Sequence, residues 1–134
     1  MYKEITSVMK KLIVAICLLL TLSPTKAADY AYFGFEPQII TNYIAAKKKM
    51  GYVRLSVELM IESSSNFEIV EHHAPLLRDA IITIIGQQPE SKIKSINGRY
   101  EIQRLCEDKI KELLKKETGG TLIKKLLFTQ WLSE

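Results

Sequence analysis

The chain has 134 residues, 47% of them hydrophobic and 25% charged, a globular composition that excludes the collagen-like, low-complexity and disordered classes and leaves room for one domain. Its formal charge is +4, yet residues 1–27 hold four of the 19 basic side chains and one of the 15 acids, leaving a net of +1 over residues 28–134. So even a balance excludes a general electrostatic case for binding nucleic acid.

Residues 1–27 read as a targeting signal. Lys10 and Lys11 precede an apolar run over residues 12–22, and Ser23, Pro24, Thr25, Lys26 and Ala27 supply a helix-breaking stretch that ends in a small residue. As a helix the run spans roughly 16 Å, against about 30 Å for the hydrocarbon core of a bilayer. Cleavage after Ala27 is therefore expected, with an uncleaved membrane anchor as the alternative. Cleavage removes Cys17 and leaves Cys106 alone, so the remaining domain, residues 28–134, has no intrachain disulfide. Cys106 reads as a small apolar residue on a helix.

In the mature chain Tyr30, Tyr32, Phe33 and Phe35 crowd four aromatic rings into residues 28–35. So much ring area has to be covered, by the core of the domain or by a bound protein, and these four are the candidate protein-binding residues. Glu36 and Pro37 follow, then an extended stretch over residues 38–44, with Pro37 suited to the start or edge of a strand because it cannot donate to a ladder. Residues 45–51, with Lys47, Lys48, Lys49 and Gly51, read as a hairpin loop. The lysine triplet fits a solvated turn, with contact to lipid headgroups or an acidic partner as the other reading.

From 52 to 62 Val53, Leu55, Val57, Leu59 and Ile61 alternate with Arg54, Ser56, Glu58, Met60 and Glu62, which predicts a strand with one buried face. Ser65 and Glu68 have capping-box spacing and predict a helix start. Pro75 lacks an amide hydrogen and clashes with the turn before it, so a short helix and then a longer one over 75–86 are expected. Residues 87–95, polar and containing Pro89, read as a connection. Asn97 is the expected cap of a second main helix carrying Ile102, Leu105, Cys106, Ile110, Leu113 and Leu114, and Gly119 and Gly120 end it. Residues 121–132 read as a final strand, in which Phe128 and Trp131, three apart, fall on opposite faces. The expected fold is α+β, a small two-layer domain with a three-stranded antiparallel-type sheet and two helices.

Little in the sequence points to catalysis. His72 and His73 diverge by about 100° on a helix, and Glu68 with His72 offers two ligands where zinc takes three or four. Ser63, Ser64 and Ser65 lack the glycines of a nucleophile elbow, and Gly119 and Gly120 follow a helix where phosphate loops precede one. Glu107 with Lys111 and Glu112 with Lys116 have the spacing of helical ion pairs on a solvated face. The residues themselves thus predict no enzyme activity, no cofactor and no metal.

Several segments, in order, resemble the flagellar basal-body-associated FliL family: Tyr32-Phe33-Gly34-Phe35-Glu36-Pro37 followed by Asn42, the alternating strand, Pro75-Leu76-Leu77-Arg78-Asp79-Ala80-Ile81-Ile82, Gly98-Arg99-Tyr100-Glu101-Ile102, and Leu126-Leu127-Phe128-Thr129-Gln130-Trp131 near the end. The resemblance implies a periplasmic domain related in fold to the stomatin/prohibitin group, which self-associates into rings around the stator units of the flagellar motor and supports torque under load. It implies no enzyme activity, small-molecule substrate or cofactor. Family members carry a full transmembrane helix, whereas this chain has the shorter run of residues 12–22; inner-membrane anchoring is implied only where that segment is retained. The alternative is a soluble periplasmic adaptor of the same fold serving another envelope complex.

Overall fold

The structure, a computed structural model, describes residues 1–20, 24, 27–46 and 49–134. Most of the expected helix-breaking stretch, and Lys47 and Lys48 of the lysine triplet, lie outside the described residues. Helix α1 runs over Tyr2–Leu20 and begins ten residues before the apolar run that starts at Leu12. None of the described helices is long and apolar enough to cross a membrane.

Four strands form one antiparallel sheet among the described residues: β1 (Ala31–Gly34), β2 (Ile39–Ile44), β3 (Met50–Ile61) and β4 (Ile123–Ser133). The expected three strands become four because the aromatic segment contributes one of its own. β3 is the spine. On one side it pairs with both β1 (Phe33 opposite Leu59) and β2 (Thr41 opposite Val53), and on the other with β4 (Leu55 opposite Trp131). β1 and β2 are thus two pieces of one edge, interrupted around the cis Glu36-Pro37 bond, as expected for a proline that cannot join a ladder.

The alternation expected for β3 is realised. Val53, Leu55, Val57, Leu59 and Ile61 are buried on one face, where Phe33, Ile39 and Tyr43 from the neighbouring strands and Phe35 from the turn between them join the core. Gly51 is part of β3 and not, as the sequence suggested, the close of a loop. It stands opposite Tyr43, whose ring occupies the place of a Cβ, while the Tyr43 hydroxyl donates to the Glu134 carbonyl at 2.9 Å. One tyrosine therefore ties three strands together.

The helices cover only this inner face. A 3-10 turn over Ser64–Asn66 leads into α2 (Phe67–His72), and after the break expected at Pro75 comes α3 (Ala74–Gly86). The capping box does not form, because the 3-10 turn moves the helix start to Phe67 and the Ser65 hydroxyl pairs with that of Ser63. The stretch expected as a plain connection holds a short helix, α4 (Glu90–Lys94), which buries Ile93. The last helix, α5 (Ile96–Thr118), is capped by Ser95 and not by Asn97: the Ser95 hydroxyl accepts from the Gly98 N–H at 3.0 Å. A Cβ on Gly98 would strike the backbone of Lys92, so glycine there lets the two helices meet closely. Gly119 ends α5 with φ of 88°, the left-handed conformation that glycine adopts without strain. Five helices thus stand among the described residues where two main ones were expected.

Phe128 and Trp131 do not lie on opposite faces. Phe128 stands opposite Val57 and Trp131 opposite Leu55, both inward residues, because Thr129 bulges between them. The rings lie 5.0 Å apart. Thr129 and the next residue point outward, where Gln130 joins Ser56 and Gln38 in a polar cluster: the Gln38 amide donates to the Ser56 hydroxyl at 2.7 Å and to the Gln130 carbonyl oxygen at 2.6 Å.

Candidate interaction site

Strand alternation divides the four candidate aromatics. Phe33 and Phe35 are 9% and 3% exposed, edge to face at 5.1 Å, and Phe33 also meets Phe67 of α2 at 5.8 Å. The Arg78 guanidinium lies 5.7 Å over the Phe35 ring and donates to the Pro37 carbonyl at 2.8 Å. Both phenylalanines thus spend their surface inside the domain. Tyr32, beside Met60 on the uncovered face, is 53% exposed. Tyr30 is half-buried; its hydroxyl accepts from the Lys124 ammonium at 2.7 Å, which holds that lysine above its ordinary value, and the cation also lies 5.0 Å over the ring. The Asp29 carbonyl accepts from the Ser64 N–H at 3.1 Å, so the approach to β1 is fastened to the domain. Of the four rings, Tyr32 and one side of Tyr30 are left uncovered by the domain.

The other candidate groups have local partners. His73 places Nδ1 2.8 Å from the Ile69 carbonyl oxygen, and the two histidine rings meet edge to face at 5.2 Å. Among the described residues no three histidine, cysteine or acidic side chains stand close enough to share a metal ion. Burial pushes the Cys106 thiol up to about 12, which leaves it without a thiolate at neutral pH. Glu107 pairs with Lys111 at 2.9 Å as its spacing predicts, but it also accepts from the Leu126 N–H on β4 at 3.0 Å. Burial acts to raise its carboxyl, and the bonds from Lys111 and Leu126 outweigh that and hold it below the ordinary glutamate value. Glu112 pairs with Lys109 at 3.2 Å.

A shallow groove between α5 and β4 escaped the sequence reading. Ile96, Arg99, Tyr100 and Gln103 form one wall and Phe128 and Trp131 its floor. The Arg99 guanidinium sits 5.8 Å over Trp131, whose indole N–H donates to the Ile93 carbonyl at 3.2 Å. Only the unmarked bulge at Thr129 brings the two rings to this side, so the spacing of the sequence could not place them together.

These features define an α+β domain with helices on one face of its sheet and exposed aromatic, aliphatic and basic side chains on the other. Residues 32–133 match the family model described as flagellar basal body-associated protein FliL, and the chain belongs to that family. It is similar to the "Flagellar protein FliL" of Aquifex aeolicus (strain VF5), with 26% identity over 100 residues, 75% of this chain; the match spans 59% of that relative's length. Flagellar basal-body association is the property that the family carries.

Proposed function

We propose that the chain is a non-enzymatic periplasmic component of the flagellar basal body, which associates with the stator units of the motor and supports torque and motility. On this reading its domain is related in fold to the stomatin/prohibitin group and self-associates into a ring near the inner membrane. The family match over nearly all of the folded domain carries the proposal. Exposed Tyr32 at the start of that domain supports it as a contact point, since an aromatic ring left in water gains from being covered.

Replacing Tyr32 by serine should weaken recruitment of fluorescently tagged stator units and reduce swimming in viscous medium. The melting temperature should stay nearly constant, because an exposed substitution changes stability by only about 0.5 kcal/mol. Phe33→Ser is the contrasting variant: it opens the core, and should lower the melting temperature. Normal stator recruitment and swimming by Tyr32→Ser would remove the stator role from this segment.

A further inference from the structure

The β2–β3 hairpin differs from the rest of the domain in charge. Between Pro37 and Val57 the sequence has Lys47, Lys48, Lys49 and Arg54 and no acid, so the remainder of residues 28–134 is net negative. The hairpin also concentrates uncovered apolar surface. Ile44 and Met50, paired across the two strands next to the loop, are 71% and 63% exposed, and Ile40, Tyr52 and Leu132 are exposed on the same outer face. Arg54 lies between Ile40 and Leu132 in one cross-strand row.

Lys49 and Arg54 form no ion pair among the described residues. Of the nearby acids, Glu90 accepts from the Ala46 N–H at 2.7 Å and pairs with Lys94 at 2.7 Å, so its charge is already met. Glu134, the last residue, borders Arg54 and Tyr52 at the rim. A basic cluster alone would suit any acidic partner. Two aliphatic side chains at the tip, with a tyrosine behind them and lysines between them in the sequence, add what a bilayer interface takes up: apolar groups at the acyl boundary, an aromatic ring at headgroup depth and cations on anionic phosphates.

We propose that the outer face of the β2–β3 hairpin docks on an anionic phospholipid surface, with Ile44 and Met50 entering the interface and Lys49 and Arg54 meeting the headgroups. The hairpin loop adjoins Met50, at the end of β3 away from Ile61, opposite which β1 begins.

Hydrogen exchange on the full chain, with vesicles of phosphatidylcholine alone or mixed with phosphatidylglycerol, separates the hairpin from α1 segment by segment. Amides of residues 44–52 should gain protection with the anionic vesicles and not with the neutral ones, and the gain should fade as salt is raised. Replacing Lys49 and Arg54 together by serine should weaken this binding on the order of 25-fold, at about fivefold for each cation. The pair Ile44→Ser and Met50→Ser should also abolish the hairpin protection, while either variant leaves that of α1 unchanged. Protection confined to α1, or equal with neutral vesicles, overturns the proposal. So does protection of residues 44–52 by polyglutamate and not by vesicles, which would assign the surface to an acidic polypeptide. If the serine pair keeps wild-type protection, the apolar tip has no part and the proposal fails.

Discussion

Glu107 joins two elements through one carboxylate, taking Lys111 from its own helix and the outward N–H of Leu126 from β4. Gln103, one turn earlier, completes the match by donating to the Leu126 carbonyl at 2.7 Å, so both backbone groups at this point of the sheet edge are satisfied by α5. Removing the carboxylate by Glu107→Ala leaves a partly buried donor without an acceptor, a loss of about 1–3 kcal/mol that a thermal melt should register. The ionised form is the stabilising one, since the folded carboxyl lies below its usual 4.5. Its contribution is therefore complete above that value and is lost as pH falls through the lower folded one. Melts of the wild type and Glu107→Gln should converge towards the acid end of that window; a constant gap would show that the charge is not engaged. The helical spacing made the Lys111 pair legible, but the bond to β4 depends on tertiary placement that spacing does not encode. The aromatic candidates show the opposite case. Tyr32, Phe33, Gly34 and Phe35 already carry the period of two that sends Phe33 and Phe35 inward, and the signal was missed because four residues are too short a run to identify a strand.

At the level of elements, β3 and the break at Pro75 were legible because each rests on a long or sterically strict pattern: eleven alternating positions in one, a missing amide hydrogen in the other. What escaped was short or locally ambiguous. Ser95 and Asn97 are both good caps two positions apart, and it is the Ser95 hydroxyl that takes the Gly98 N–H. Helix α4 buries Ile93 alone, too little for a periodic signal. The bulge in β4 has no glycine to announce it, and it reverses an energetic expectation for the strand. With Phe128 and Trp131 on opposite faces, alanine at the two positions would have unequal effects. Since both rings share the inner side at 5.0 Å, each truncation also exposes the other. The two single variants should be destabilised to a similar extent, and the double variant should lose less than their sum by about 0.5–1.5 kcal/mol. Strict additivity in a double-mutant cycle of urea melts would mean that the rings do not support one another.

For the molecule as a whole, the expected processing concerns the segment ahead of the domain. The apolar run of residues 12–22 is short for a bilayer, and the proposed processing predicts that mass spectrometry of a periplasmic fraction finds a chain beginning at or near Ala28. An intact amino terminus in the membrane fraction would show the anchored form instead. In either form a pull on the segment ahead of β1 would enter the same sheet. β1 enters opposite Ile61, while the carboxyl terminus leaves beside Tyr52, where Glu134 and Tyr52 exchange backbone hydrogen bonds of 2.9 and 3.2 Å. The entry to β1 and Glu134 thus lie at opposite ends of the central strand, separated by roughly 30 Å at about 3.3 Å per residue. A pull between them drags β1 one way and β4 the other along β3, so that the ladder bonds are strained side by side and share the load, where a pull from a common end would open them one after another. The strand order makes the domain a shear clamp, stiffest along the axis that joins its amino-terminal entry to its carboxyl terminus.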